Sequence, residues 1–188
     1  MRYEVRITGL GGQGAITAGH VLGRATAIYD GREAVVTEGY SPYITGGWSR
    51  ADVIISDEPI DYPLVTKLDV LATMYDEGFV QNLKLVKRGR IIITEKGLVK
   101  RSARGVVVLP IPAIETADRL GRKIVANIVI LGAIVAALGA PSLESVEKAL
   151  ADRFPKAVEL NREAVRQGYS IATELLTSVK VLEKGETL

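Results

Sequence analysis

The chain has 188 residues, 47% of them hydrophobic and 24% charged, and a formal net charge of +2. That suits one domain, residues 1–188, with a sizeable core, and the near-neutral charge argues against a nucleic-acid partner. With no Cys and a single His, His20, disulfides and thiolate-held iron–sulfur clusters are excluded and a zinc site has almost nothing to be built from.

The chain opens directly on MRYEVRI with no apolar leader, which together with the missing Cys points to a cytoplasmic protein. YEVRIT (3–8) reads as a buried strand and GLGGQG (9–14) as a turn. Gln13 to Tyr29 reads as a helix stopped by Gly31, and EAVVTE (33–38) as a second strand. Residues 3–38 are then expected to form a Rossmann-like β–turn–α–β unit, its strands a parallel pair joined by a right-handed crossover. GYSPYITGGW (39–48) is too rich in Gly and Pro for either element. Further strands are expected at 49–57, 68–74, 90–94 and 105–111, with an acidic loop at 57–63 and a short helix at 77–86.

From Glu115 onward the pattern turns helical. The uncharged run 124–143 is cut by Asn127 and Pro141. Its apolar part is about 14 residues against the roughly 20 a spanning helix needs, so a core helix is expected and no membrane contact. Gly132 and Ala136 on one face of it are small enough for a neighbouring helix to approach. Ser142 is placed as an N-cap with Glu144 in the first turn, and 155–179 has amphipathic helical spacing. Strands alternating with helices and then giving way to them predict an α/β fold: a mainly parallel sheet with helices on both faces and a C-terminal helical cluster.

The glycine turn allows two nucleotide readings. Gly9 and Gly14 have the separation of a phosphate-binding P-loop, but Ala15 and Ile16 stand where Lys and Ser/Thr must be, so no cation would reach the outer phosphates. Gly9, Gly11 and Gly14 also satisfy G-x-G-x-x-G between a strand and a helix, and Glu38 ends the second strand where an acid would meet a ribose hydroxyl. A free-standing oxidoreductase holding NAD or FAD is therefore one reading. Gly12 and Gln13 are additions such a site does not require. The second loop, 39–48, should lie at the same sheet end, where α/β proteins place ligands or partners. Its Tyr40, Tyr43 and Trp48, with Arg50, are of the types that dominate contact energetics. Chemistry is otherwise thin. His20 has no second His or Cys to form a nucleophile–base pair with, the acids Asp57, Glu58 and Asp61 read as a solvated loop, and the Lys and Arg of 84–104 read as a basic surface able to meet an anion or an acidic partner.

Four segments taken together, GLGGQGAITAGHVLG, YSPYITGGWSRADVIISDEPIDYP, NIVILGAIVAALG with SLESVEKAL, and ELNREAVRQGY, resemble the gamma subunit of the 2-oxoacid:ferredoxin oxidoreductases along nearly the whole chain. The resemblance implies a holoenzyme that converts a 2-oxoacid and coenzyme A to acyl-CoA and CO2 while reducing ferredoxin. It implies thiamine diphosphate with Mg between alpha and beta subunits, iron–sulfur clusters in delta and often in beta, and a gamma subunit without cofactor that packs beside them and in some relatives closes over coenzyme A. The implied partners are the alpha, beta and delta subunits, ferredoxin through the complex, and a second copy if the chain dimerises. Gly11, Gly12, Gln13 and Gly14 match the family's GGQG, Gly46 and Gly47 its second glycine pair, and Ser49, Arg50, Ala51 and Asp52 the residues after it. Taking the matched residues together with Gly9 of the glycine motif and the contact-type Tyr40 and Trp48, the expected site is Gly9, Gly11, Gly12, Gln13, Gly14, Tyr40, Gly46, Gly47, Trp48, Ser49 and Arg50, which would hold an anion or coenzyme A, or contact a subunit, with no catalytic residue in the chain. No Gly-Asp-Gly followed by an Asn pair, the thiamine diphosphate signature, is present. The second loop departs from the family: Tyr43 stands in place of an acid and Thr45 in place of an Arg.

Overall fold

The computed structural model describes residues 1–43 and 46–185, with side chains as far as residue 179. Its strands are β1 (Arg2–Leu10), β2 (Glu33–Tyr40), β3 (Trp48–Ser56), β4 (Leu68–Thr73), β5 (Val86–Glu95) and β6 (Val107–Ile111). Its helices are α1 (Ala15–Arg24), α2 (Asp76–Asn82), α3 (Ala113–Arg119), α4 (Ala126–Leu138), α5 (Leu143–Arg153) and α6 (Val158–Gly185). The helix expected from Gln13 to Tyr29 starts at Ala15, and its last turn, Ala25–Tyr29, widens to a π-helix. The expected helix 77–86 ends earlier, in a 3-10 turn over Leu83–Leu85.

The strands form one sheet in the order β2-β3-β1-β4-β5-β6, with β3 alone running against the others. The expected α/β class, mostly parallel sheet and C-terminal helices are all present. The expected pairing of β1 with β2 is not. β2 and β3 form an antiparallel hairpin (Tyr40 opposite Ser49), and β3 then pairs antiparallel with β1 (Leu10 opposite Trp48), so it lies between the two strands. A strand that follows by a short connection pairs with its predecessor at little loop-closure cost, and this local pairing displaces the longer-range one.

The sheet has two unlike faces. On one, Val5, Ile7, Val53, Ile55, Val70 and Ile93 meet α1 and the C-terminal helices in the main core. On the other, a smaller cluster of Leu68, Leu71, Phe79, Ile92 and Val99 lies under α2. Beside that cluster the alternation of β1 and β3 turns charged residues into the interior. The Arg6 guanidinium donates to both carboxylate oxygens of Asp52, at 2.6 and 2.7 Å, and to Asn82 Oδ1 of α2 at 2.8 Å. Arg6 and Asp52 are each 5% exposed; each guanidinium nitrogen has a charged or polar acceptor, which is what lets such a pair be buried.

α4 is apolar on almost all sides because it is enclosed on almost all sides. Among the described residues no helix is long and apolar enough to cross a membrane. Its Gly132 faces Gly168 of α6: a Cβ on Gly132 would lie 2.1 Å from the Val165 carbonyl oxygen, and one on Gly168 would lie 1.9 Å from that of Val129. The close approach expected at Gly132 is thus reciprocal, with Gly168 as the partner glycine. Ser142 caps α5 as expected, its Oγ accepting from Ser145 N–H at 3.1 Å.

Candidate functional site

The turn after β1, the start of β3, and the N-termini of α1 and α4 all lie at one end of the sheet. The two glycine loops touch there: Gly11 N–H donates to the Gly47 carbonyl at 2.9 Å, and Ser41 N–H to Trp48 O at 2.8 Å. Gly47 fits against Ser41, whose Cβ would be 2.6 Å from a Cβ on the glycine. Gly46 has a φ of 72° with open space around it. Thr45, the residue in place of the family's Arg, lies outside the described residues.

The turn's own residues divide by role. Gln13 is turned inward: its Oε1 accepts from Leu10 N–H at 2.6 Å and its Nε2 donates to Met74 O at 3.1 Å. The amide therefore staples the turn to the end of β4 and is not free for a ligand. Gly9 is closed over by the same side chain, with Gln13 Oε1 and Met74 Cε 3.0 Å from a would-be Cβ. Gly14, the α1 N-cap at φ 77°, has Asn127 Nδ2 2.4 Å from its missing Cβ, and that nitrogen donates to Gly14 O at 3.1 Å. Close approach of α4, not of a phosphate, excludes a side chain at Gly14. Gly12, at φ 87° with nothing near its Cβ position, faces open space.

That space is a cavity of about 620 Å³, within the range of small-molecule sites. Gly12, Gly14 and Ser49 line it with Asn127, Arg122 and Lys156. A smaller recess of about 220 Å³ shares Gly12, Ile124 and Asn127 with it and reaches Gln13 and Glu95. Gly14 supplies no side-chain cap to α1, and the first turn carries no acid. The leading N–H groups of α1 and the helix dipole therefore favour an anion at the cavity wall. Arg122 and Lys156 have no carboxylate within ion-pair distance among the described residues. Glu95 does not line this cavity; it borders the smaller recess, where its carboxylate accepts from the N–H groups of Gly97, Leu98 and Ile114.

The rest of the expected site is split by the sheet. Strand alternation puts Ser49 and Tyr40 on the α1 side and Trp48 and Arg50 on the other. Arg50 lies over the Trp48 ring, 5.5 Å from its centroid, and 3.7 Å from Asp52. Tyr40 is 61% and Tyr43 76% exposed. Glu38 is not placed for a ribose: β3 separates its strand from β1, and its carboxylate is engaged by the Tyr40 hydroxyl and by His20 Nε2. The Tyr40 hydrogen bond first, then that of His20, holds Glu38 below the usual carboxylate range. The dinucleotide geometry is therefore not formed. Among the described residues no group of three or more His, Cys, Asp or Glu could hold a metal.

Arg122, Lys156 and Asn127 escaped the reading of the sequence. Asn127 did leave a signal, as the one polar side chain in the run 124–140.

The sequence matches the family Pyruvate ferredoxin/flavodoxin oxidoreductase over residues 4–171. It is 42% identical over 180 residues to the 2-oxoglutarate synthase subunit KorC of Methanocaldococcus jannaschii, covering 93% of this chain and 96% of that one. The fold superposes with a TM-score of 0.85 and 40% identity on the keto/oxoacid ferredoxin oxidoreductase gamma subunit of Geobacter sulfurreducens, covering 93% of this chain and 98% of that one. It superposes with a TM-score of 0.83 and 26% identity on 2-oxoglutarate:ferredoxin oxidoreductase of Magnetococcus marinus with 2-oxoglutarate, coenzyme A and succinyl-CoA bound, covering 92% of this chain and 31% of that longer one. The chain therefore belongs to the pyruvate ferredoxin/flavodoxin oxidoreductase family, as a KorC-like gamma subunit of a 2-oxoacid:ferredoxin oxidoreductase.

Proposed function

We propose that the chain does no bond chemistry itself and serves the assembled enzyme in two ways: it docks beside the thiamine diphosphate subunits through its glycine-loop end, and its cationic cavity takes the phosphate-bearing part of coenzyme A. The 2-oxoacid is 2-oxoglutarate, on the strength of the KorC relatives. The observation that carries the reading is the union of the two loops, Gly11 N–H to Gly47 O, beside a cavity where the uncapped α1 N-terminus, Arg122 and Lys156 converge. Thiamine diphosphate would supply the carbanion chemistry and iron–sulfur clusters the electron path. Neither fits this chain, which has no Cys and no Gly-Asp-Gly motif, so both belong to the companion alpha, beta and delta subunits, with ferredoxin as acceptor.

The test is reconstitution. The alpha, beta and delta subunits should turn over 2-oxoglutarate with coenzyme A only when this chain is added, and the chain alone should be inactive. Full turnover without it would end the docking role. Arg122→Ala with Lys156→Ala should raise KM for coenzyme A about ten-fold or more while leaving KM for 2-oxoglutarate unchanged, as expected for losing charge-assisted contacts of about 1.5–3 kcal/mol. An unchanged KM for coenzyme A would remove it from this cavity. Tyr43→Ala, at a side chain 76% exposed, should weaken subunit association without lowering the melting temperature of the isolated chain.

A further inference from the structure

Residues 84–104 hold eight of the 24 Lys and Arg but one of the 22 Asp and Glu, a local charge of +7 that leaves −5 on the rest of the chain. The fold sets this segment on the sheet face away from the main core, where α2 and its 3-10 turn lie and the connection after β5 runs back beside them. Two shallow depressions of about 400 and 470 Å³ open between these strips and meet at Leu83. Apolar side chains contribute to both, the exposed Val80 to one and Val86 and Val106 to the other, with Leu83 shared. Val80 is 53% exposed.

The rim is cationic. Lys100 and Arg101 border the first depression, Arg88 and Arg104 the second. Some of the segment's charge is neutralised within the fold: Lys87 and Arg90 pair with Asp69 at 2.8 and 3.1 Å, and Arg101 with Asp76 at 2.5 Å. Arg88, Lys100 and Arg104 are exposed and have no carboxylate partner among the described residues. Unpaired like charges around exposed apolar side chains are a complement waiting for its opposite.

We propose that this groove docks an acidic segment of another polypeptide, an apolar side chain seated over Leu83 and carboxylates meeting Arg88, Lys100 and Arg104. A nucleic acid fits the charge but not the groove: Phe79, its one aromatic ring, is 2% exposed and offers no face for a base to stack on. The site lies apart from the glycine-loop cavity and does not depend on what that cavity binds.

Fluorescence anisotropy on the full chain tests this with three probes: a labelled peptide of about 12 residues made of Glu and Asp around one Leu-Phe pair, the same peptide with Lys for the acids, and an oligothymidylate of similar length. The acidic peptide should bind saturably and weaken about ten-fold or more between about 50 and 300 mM salt, as screening requires. Arg88→Glu with Lys100→Glu and Arg104→Glu should weaken it at least about ten-fold with an unchanged melting curve. Val80→Asp should weaken it as well. No saturable binding of the acidic peptide, equal binding by the charge-reversed variant, or tighter binding of the oligonucleotide would each overturn the proposal.

Discussion

Gly14 is where the glycine turn can be tested most directly, because two independent physical costs fall on one substitution. Its φ of 77° is left-handed, and a residue with a Cβ adopts that backbone at a cost of about 1–2 kcal/mol. The added carbon would also sit 2.4 Å from Asn127 Nδ2, more than about 1 Å inside normal contact. Such overpacking adds about 1–3 kcal/mol. Asn127→Ala alone removes the hydrogen bond to Gly14 O, about 1 kcal/mol. If Gly14→Ala and Asn127→Ala acted independently, the double variant would lie about 3–6 kcal/mol below the parent. Truncating Asn127 removes the two closest atoms and leaves only its Cβ, 3.1 Å away, so the double variant should lose only about 2–3 kcal/mol, an interaction of about 1–3 kcal/mol. Urea unfolding of the four proteins, followed by Trp48 fluorescence and far-UV circular dichroism, measures the cycle. Additivity to within about 0.5 kcal/mol would refute the claim that this glycine is kept for α4.

Gly168→Ala pits two effects of opposite sign. Helix propensity alone would stabilise by about 1 kcal/mol, but a Cβ 1.9 Å from the Val129 carbonyl oxygen forces α4 and α6 apart. A clash with backbone at that distance belongs at the upper end of overpacking costs, about 3 kcal/mol, so the net should be a loss of about 2 kcal/mol, and a melting temperature above the parent's would contradict it. Asp52→Ala leaves the Arg6 guanidinium buried without a counter-charge and should cost about 3–5 kcal/mol in urea unfolding, most of it recovered when Arg6→Met and Asp52→Leu are combined. Exposed carboxylates contribute to acid stability. Tyr29, then Arg24, holds Asp152 below its ordinary pKa, and Arg101 does the same for Asp76. A depressed folded pKa contributes stability that is present above the unfolded value and lost as pH falls through the folded one, so the urea midpoint should hold at neutral pH and fall modestly below about pH 4. The Tyr29 phenol is raised by its hydrogen bond to Asp152. Its contribution is present below the unfolded pKa and lost as pH rises through the folded one, above about pH 10, and Tyr29→Phe should soften both limbs.

What could be read from the residues was local. The β1–turn–α1 passage, the loop after Tyr40, the Ser142 cap and the enclosed α4 follow from periodicity and turn chemistry within a few positions. The sheet order did not follow, because the choice between β1–β2 and β2–β3 pairing depends on the energy of a hairpin whose partners both read as strands. The roles of the glycines were legible only as a motif. Gln13 is held by Met74 O and Gly14 by Asn127, partners far away in the chain that no spacing rule connects. The cavity cations Arg122 and Lys156 come from connections between helices, where isolated basic residues look like any solvated surface.

β3 is matched without a break to β1 from Arg2–Ser56 to Leu10–Trp48 and to β2 from Glu33–Ser56 to Tyr40–Ser49. Side chains alternate between faces with a period of two. Inserting or deleting one residue inside β3 would therefore exchange Arg50 and Asp52 with Ala51 and Val53, stranding Arg6 and driving charge into the apolar core. The strand therefore tolerates no change of length without that cost.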